Sequence, residues 1–328
     1  MTDRVPGMTR KGLALFVAMS IIWGTPYLLI KVAVEELSPV TLVFLRTGIG
    51  ALLLVPLAIG AGHLRPLLPK WRWVVVFALV EVAAPWVLLS DAERHISSSL
   101  AGLLIAATPL IGAVLALFVG GDDRLDSRRV AGLLLGLGGV AVLLGLDVTG
   151  GNIGAVCEMG LVAVCYATGP LIISRRLFDL PSIGVITASL ALSAILYAPA
   201  GLKAAPSSLP SGKVIASVAG LAIVCTALAF VLFFALIAEI GPVRATVITY
   251  VNPAVAVFLG VVLLHEPFGA STAVGFTLIL LGSYLATRRA VTPHEVPLEV
   301  EHGTSVLCAV EHPTPSGGHY STRPAGRS

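Results

Sequence analysis

The hydrophobic residues of this chain form ten long, nearly continuous apolar segments that are separated by short polar connections. Each segment is about 20 residues long, the length that an α-helix needs to cross the hydrocarbon core of a bilayer. One-sided stripes of helical period, typical of a water-soluble core, are not what the segments show. The pattern predicts an all-α polytopic membrane protein with ten transmembrane helices at 12–34, 40–59, 73–90, 100–120, 130–146, 153–174, 182–201, 214–238, 243–264 and 272–286.

The composition agrees with a membrane environment. Hydrophobic residues make up 56% of the 328 residues and charged residues only 12%, and the mean hydropathy is +0.95. Soluble domains carry about 25% charged residues. The four cysteines are too few for a disulfide framework and form no CxxC pair. Sequence motifs of nucleotide-driven transport and of common hydrolases are absent. We therefore expect no cofactor, no metal and no nucleic-acid partner.

Lysines and arginines are distributed unequally between the two sets of connections. If the N-terminus (residues 1–11) is cytoplasmic, the inner segments hold fourteen of them and the outer loops hold only Arg94, Lys203 and Lys213. The positive-inside rule then predicts an integral plasma (inner) membrane protein with both termini cytoplasmic. The first apolar segment is too long for a signal-peptide core, so we interpret it as a retained helix. Residues 290–328 are rich in Pro, Gly, Ser, Thr and His, which predicts a disordered cytoplasmic tail.

An internal repeat divides the chain into two halves. Residues 103–124 and 247–268 superpose without gaps. The repeat aligns Ala101 with Ala245, Pro109 with Pro253, Asp122 with Glu266 and Gly138 with Gly282, each pair 144 residues apart. This offset carries the fourth and fifth helices onto the ninth and tenth, so each half has five helices. Because five is odd, the halves must cross the membrane in opposite directions. The sequence predicts a first repeat at 12–146 and an inverted second repeat at 153–289, an arrangement typical of secondary transporters.

Short motifs within these segments carry a family resemblance. They are Trp23-Gly24-Thr25 with Lys31 in the first helix, Pro39 followed by Leu45-Arg46 at the second, Thr108-Pro109 in the fourth, and Asn252-Pro253 with the His265-Glu266-Pro267 turn in the second half. On these motifs, residues 12–289 resemble the drug/metabolite transporter superfamily, in particular its EamA-type ten-helix members. The segment 121–124 departs from the Gly-Glu-Arg-like turn usual in that family. The resemblance implies transport of a small metabolite or drug, often export, without naming the compound.

Prolines interrupt the helices at related places in the two halves. Pro26 in the first helix and Gly169-Pro170 in the sixth lie at nearly corresponding positions, as do Pro109 and Pro253. A proline inside a span removes a backbone hydrogen bond and frees a carbonyl group, which hydrocarbon tolerates only beside protein or water. We expect these positions to be helix breaks or hinges near a substrate site. The alternative is that they only kink the helices for packing.

Trp23, Tyr27 and Lys31 follow one another at intervals of four residues on one face of the first helix. This pattern predicts an aromatic wall that ends in a cation attracting an anionic or zwitterionic substrate. Alternatively, Lys31 reaches the membrane interface or forms a structural ion pair. Arg46 in the second helix has the same two interpretations, substrate binding or structural pairing.

Neutral hydrogen-bonding side chains complete the predicted substrate site. Tyr166 lies in the sixth helix, and Thr249, Tyr250 and Asn252 lie on or beside one stripe of the ninth. Such groups can orient a substrate, but they are equally typical of polar packing between membrane helices.

Glu81 and Glu158 are candidates for proton coupling. Glu81 lies near the middle of the third helix, where a lone carboxylate costs about 2.5–3.5 kcal/mol on insertion scales and normally faces a cavity or a partner. Such a group can exchange a proton during transport. Glu158 lies near the start of the sixth helix and could instead be the counter-ion of Lys31 or Arg46, or lie at the outer mouth. For both residues a purely structural carboxylate is the alternative.

These observations favour a secondary-active transporter that moves a small metabolite or drug across the membrane by alternating access, with export as the expected direction. The expected partners are a small-molecule substrate and the lipid bilayer, with proton coupling as a hypothesis and the oligomeric state open. Two other classes stay open: an intramembrane enzyme acting on a lipid-linked metabolite, and a channel or non-transporting scaffold.

Overall fold

The computed structural model describes residues 9–118, 127–147 and 152–287, and within these ranges all regular structure is helical. The predicted tail, Asp122 and the turn at 121–124 lie outside them. The α-helices are α1 (Arg10–Gly24), α2 (Pro26–Ala33), α3 (Pro39–Gly60), α4 (Trp71–Phe77), α5 (Ala84–Ala92), α6 (Ser98–Ile105), α7 (Thr108–Phe118), α8 (Ser127–Asp147), α9 (Ile153–Ile172), α10 (Ser182–Lys203), α11 (Gly212–Ala219), α12 (Ala229–Ile240), α13 (Pro242–Ala245), α14 (Ile248–Leu264) and α15 (Ala270–Thr287).

The helices join into segments of membrane-spanning length. Within the described residues, eight are long and apolar enough to cross a bilayer: Arg10–Ala33, Pro39–Gly60, Arg65–Ala92, Ser98–Leu115, Ile153–Leu177, Ser182–Lys203, Gly212–Ile240 and Ala270–Thr287. Two further predicted spans coincide with the 21-residue α8 and with α14, a shorter apolar helix of 17 residues. The chain is therefore an all-helical polytopic membrane protein. The count of ten crossings and the inverted relation of the halves stay predictions.

In each predicted half, the long segment that follows the second helix contains π-helical backbone. In the first half it spans Ala78–Ala83, between α4 and α5, and in the second Gly220–Leu228, between α11 and α12. The repeat offset of 144 residues carries Glu81 onto Cys225, inside the second π segment. Single π turns within α-helices are rare and frequently lie at functional sites. The two π segments are therefore candidates for a functional site.

The predicted proline positions differ in their local structure. Pro26 begins α2 directly after the break at Thr25, and Pro109 lies in the first turn of α7. Pro170 and Pro253 lie inside α9 and α14, which continue through them. The break in the ninth segment lies at 246–247, before α14, and α9 passes into a π segment at Ile173–Leu177.

Glycines allow α8 and α15 to pack backbone to backbone. A Cβ atom on Gly139 would lie 2.8 Å from both Gly275 O and Ile279 N, and one on Gly282 would overlap the backbone of Gly132 and Gly136. Membrane helices use small residues in this way, because close contact replaces the hydrophobic drive that lipid does not supply. The two helices that end the predicted halves are therefore in direct backbone contact.

The outer surface of the bundle is apolar. Leu52, Leu134 and Ile195 are 75%, 65% and 71% exposed, and large exposed side chains of this kind occur along most of the helices. A water-soluble monomer rarely exposes so much contiguous apolar area. The surface is suited to lipid.

Candidate functional site

The apolar helix α3 carries a buried arginine. Arg46 is only 6% exposed, although it is charged. Its guanidinium carbon lies 3.6 Å from the ring centroid of Trp86, and its Nε donates a hydrogen bond to Thr226 Oγ1 at 3.0 Å. Trp86 follows the first π segment and Thr226 lies in the second, so α3 holds the guanidinium between them. Cation–π stacking and one hydrogen bond fix its plane.

Two tyrosines lie close to this cation. Tyr27 of α2 and Tyr166 of α9 are both within electrostatic range of Arg46. Tyr166 packs against two separate clusters of buried residues, one that includes Tyr27 and one that includes Trp86. Trp86 therefore gives Arg46 a ring face, and the two tyrosines add nearby hydroxyl groups, which can donate and accept hydrogen bonds.

Glu81 is held by the first π segment against α9. A Cβ atom on Gly169 would overlap the Glu81 carboxylate, so this glycine makes room for it. Oε2 of Glu81 is buried without a hydrogen-bond partner in the described part of the chain. Tyr166 and Cys165 of α9 are within electrostatic range of the carboxylate. A buried carboxyl without a partner costs free energy in a folded protein. Its presence is therefore a reason to consider a role in binding or proton transfer.

The segments predicted to lie at the outer side are joined by polar contacts. Lys31 Nζ donates to the carbonyl oxygens of Glu93 and Ile96, at 2.6 and 2.7 Å, where α5 ends. The Glu93 side chain is fully buried, and neither carboxylate oxygen has a partner among the described residues. Burial raises the pKa of Glu93 well above its usual range, while nearby Lys31 acts in the opposite direction.

Glu266 connects the end of α14 to the beginning of α6. Its carboxylate accepts hydrogen bonds from the backbone N–H groups of Ser98 and Ser99, at 2.7 and 2.9 Å, and from the Ser99 hydroxyl. His265 adopts a left-handed conformation (φ 54°), which turns the chain out of α14 and directs Glu266 to this helix N-terminus. Gly260 leaves space for the contact, because a Cβ there would overlap Glu266 and Ser99.

Comparison with known protein families identifies the family of this chain. The sequence model of the EamA-like transporter family matches residues 10–145 and again residues 154–288. The chain belongs to the EamA-like transporter family.

Relatives of this EamA-like transporter are named as transporters over nearly their full length. The uncharacterized inner membrane transporter YedA of Escherichia coli (strain K12) is 28% identical over 290 residues, which are 85% of this chain and 93% of YedA. The uncharacterized transporter YvbV of Bacillus subtilis is 25% identical over 281 residues, 84% of this chain and 91% of that protein. A probable terminal-alkyne amino-acid exporter of Streptantibioticus cattleyicolor is 26% identical over 284 residues, 83% of this chain and 91% of the exporter.

A solved crystal structure of another protein has the same fold. It aligns with a TM-score of 0.61 at 24% identity, covering 84% of this chain and 96% of the other. The chain is therefore an integral membrane protein of a transporter family. The predicted family membership is confirmed.

In the EamA-like bundle, the other predicted substrate residues make contacts that do not involve Arg46. Trp23 packs against Phe230 and Phe233 of α12, with ring centroids 5.9 and 4.6 Å away. The Asn252 amide, oriented to satisfy its hydrogen bonds, donates to the carbonyls of Ile248 and Ser20 at 3.0 and 3.2 Å. These two side chains thus connect α1 to α12 and α14.

Three more predicted residues lie near the ends of helices. Thr249 is exposed and donates to the carbonyl of Thr246, and the Tyr250 hydroxyl lies 3.0 Å from Thr287 Oγ1 at the end of α15. Glu158 lies within electrostatic range of Asp91, near the end of α5, and of His95, which follows α5.

Sequence reasoning did not identify Trp86, Thr226 or Glu93 as members of the site. For Thr226 a signal existed, because the repeat offset maps Glu81 onto Cys225, its neighbour in the chain. Trp86 directly follows Pro85 in the helix that carries Glu81. In the sequence, Glu93 lies in a cluster of polar residues that is typical of a solvated loop.

Two apolar grooves are present in the described part of the chain, and Arg46 lines neither of them. One, of about 360 Å³, is lined by residues of α3, α4 and α10 with the preceding 3₁₀ helix Arg65–Lys70, and includes Trp71 and Ile195. The other, of about 330 Å³, lies beside Phe44, Gly201 and Val214. Their apolar linings suit lipid chains, so we place the polar chemistry at Arg46.

Proposed function

We propose that the protein is a secondary-active transporter that moves a small metabolite or drug across the inner membrane by alternating access, in the direction of export. Family membership supports the transport of a small molecule. The name of the Streptantibioticus cattleyicolor relative supports export, since that protein is called an exporter.

The observation that carries the proposal is the Arg46 site. A charged group deep in a membrane helix is costly and marks a pathway or binding site by default. Here the charge is fixed by Trp86 and Thr226, which belong to opposite predicted halves. Substrate sites of inverted-repeat transporters lie between the halves, near the membrane midplane.

Contacts on the predicted outer side support alternating access. Glu266 binds the N-terminus of α6, and Lys31 binds the carbonyl groups that follow α5. Both contacts join segments from different helices and can be broken without disturbing a helix interior. We infer that they close the outer side in this conformation and open in the other.

Glu81 is the proposed proton-coupling residue. Its carboxylate packs on Gly169, and Oε2 has no hydrogen-bond partner among the described residues. Tyr166 lies within electrostatic range of both Glu81 and Arg46. A change in the charge of Glu81 can therefore be sensed at the substrate site, which is the physical requirement for coupling.

The transport proposal is tested by a metabolite-resistance screen on cells that overproduce the protein, followed by reconstitution of the purified chain in proteoliposomes with the compounds found. We expect saturable uptake and counterflow. A channel gives flux without counterflow, a scaffold gives no flux, and an enzyme returns a chemically changed compound. Any of these three results contradicts the proposal.

Proton coupling is tested in the same vesicles with Glu81→Gln. We expect this variant to lose pH-driven uptake while keeping counterflow, because counterflow needs no net proton movement. Glu35→Gln is the matched control, since Glu35 forms an exposed ion pair with Lys213 at the surface. Unchanged pH dependence in Glu81→Gln removes the coupling role from this residue.

A further inference from the structure

Arg46 has hydrogen-bonding capacity that the protein leaves unused. A guanidinium carries five N–H donors, and in Arg46 the Nε–H is taken by Thr226. Among the described residues, no oxygen accepts a hydrogen bond from the two terminal nitrogens, and no carboxylate lies within ion-pair distance. Arg46 is nevertheless buried, with an exposed fraction of only 6%. A buried cation without a paired anion is strongly unfavourable, unless something else supplies the anion.

Nearby acidic groups do not supply it. Glu93 is within electrostatic range of Arg46, but its two carboxylate oxygens have no hydrogen-bond partner in the described part of the chain. Glu81 lies against Gly169 of α9, and its Oε2 is equally unpartnered. The protein thus places the Arg46 cation and the Glu93 carboxylate within electrostatic range of each other without joining them. The missing partner of Arg46 is therefore better sought in a ligand.

The position of Arg46 is suited to a planar anion. Trp86 covers one face of the guanidinium and Thr226 takes its Nε, so the edge with the terminal N–H groups is left for a ligand. A carboxylate matches that edge with two parallel hydrogen bonds. Tyr27 and Tyr166, within electrostatic range, offer hydroxyl groups beside it.

Lys31, the other predicted anion-binding residue, does not offer this. Its ammonium group already donates to two backbone carbonyls at 2.6 and 2.7 Å. Those bonds hold the end of α5, so Lys31 has a structural task in this conformation.

We propose that the transported substrate carries a carboxylate and that the Arg46 guanidinium binds it, with Trp86 holding the guanidinium plane. This inference rests on the proposed transport function and names the substrate class.

The binding test uses the purified full-length chain in detergent and a panel of amino acids and simple monocarboxylates, each beside its primary amide. A ligand that binds the folded state raises its apparent melting temperature. We expect carboxylates to stabilise the wild type and the matched amides not to do so. Amides that bind as well as the acids, or a wild type that no carboxylate in the panel stabilises, overturn the proposal.

Two variants assign the effect to Arg46. We expect Arg46→Gln to weaken carboxylate binding by about 10- to 100-fold, the loss typical of a hydrogen bond to a charged group. Arg46→Lys keeps the charge without the planar edge and should weaken it by about 10-fold. Arg72→Gln is the matched control, because Arg72 is exposed on α4. If Arg46→Gln does not fold, Arg46→Lys decides, and unchanged carboxylate binding in either variant contradicts the assignment.

Counterflow separates this proposal from the transport function. Carboxylate binding that depends on Arg46 but gives no counterflow keeps the site and overturns transport. Saturable counterflow restricted to compounds without a carboxylate keeps transport and overturns the site.

Discussion

Glu266 shows how one side chain can hold two distant segments together. It binds the backbone N–H groups of Ser98 and Ser99, 168 and 167 residues earlier in the chain. A carboxylate at a helix N-terminus satisfies free N–H groups and interacts favourably with the helix dipole. The left-handed His265 places it there. The sequence marks Glu266 as the acidic end of an apolar run, but its partner follows only from the tertiary structure.

Removal of this side chain should release the start of α6. We expect Glu266→Ala to cost about 0.5–2 kcal/mol locally, as for other lost helix caps. Backbone amide exchange at Ser98 and Ser99 should then be about 2- to 30-fold faster when followed by hydrogen–deuterium exchange. Glu266→Gln keeps one acceptor and should give an intermediate effect.

Glu36 provides the control for that measurement. It accepts a hydrogen bond from Ser211 N at 2.8 Å on the same predicted side, so Glu36→Ala should leave the exchange of Ser98 and Ser99 unchanged. Equal exchange in the wild type and Glu266→Ala shows that the contact does not hold α6.

At the scale of helices, the contact between α8 and α15 depends on glycines, whose lack of a side chain lets the two backbones approach each other. A Cβ on Gly139 would lie 2.8 Å from backbone atoms of α15, whereas a Cβ on Gly138 meets nothing within 4 Å. Two adjacent glycines in one helix thus have opposite surroundings. The pair gives a matched test of backbone packing.

We expect Gly139→Leu to destabilise the protein by about 1–3 kcal/mol, because rigid backbone atoms must move to admit the side chain. Gly138→Leu, which faces open space, should change stability by less than about 0.5 kcal/mol. Thermal unfolding of both purified variants in detergent measures the difference. Equal melting temperatures would show that the two helices are not held at this distance.

The sequence predicted the helices well, because an apolar run of spanning length is a local signal. The π segments were not predicted, since nothing in residues 78–83 or 220–228 distinguishes their hydrogen bonding from that of an α-helix. Arg46 and Glu81 were found as lone charges in apolar surroundings. Trp86 and Thr226 were missed, because their role comes from packing against α3.

At the scale of the whole molecule, polar contacts agree with the predicted orientation. Lys70 pairs with Asp179 at 2.5 Å, and both lie in segments predicted to be cytoplasmic. Lys213 pairs with Glu35, and both lie on the predicted outer side. Each contact thus joins segments assigned to one side of the membrane, as a correct assignment requires. The inverted relation of the halves needs a direct test.

Equivalent positions in the two halves provide that test. In a cysteine-free background, single cysteines are placed at two pairs of exposed loop positions 144 residues apart, Ala61 with Ala205 and Glu35 with Asp179. The predicted topology puts 61 and 179 inside and 35 and 205 outside. A membrane-impermeant thiol reagent added to intact cells should therefore label only 35 and 205, and the other two only after permeabilisation. Parallel repeats would put both members of a pair on the same side. That labelling pattern would remove the inverted arrangement and, with it, the argument that Arg46 lies between two opposed halves.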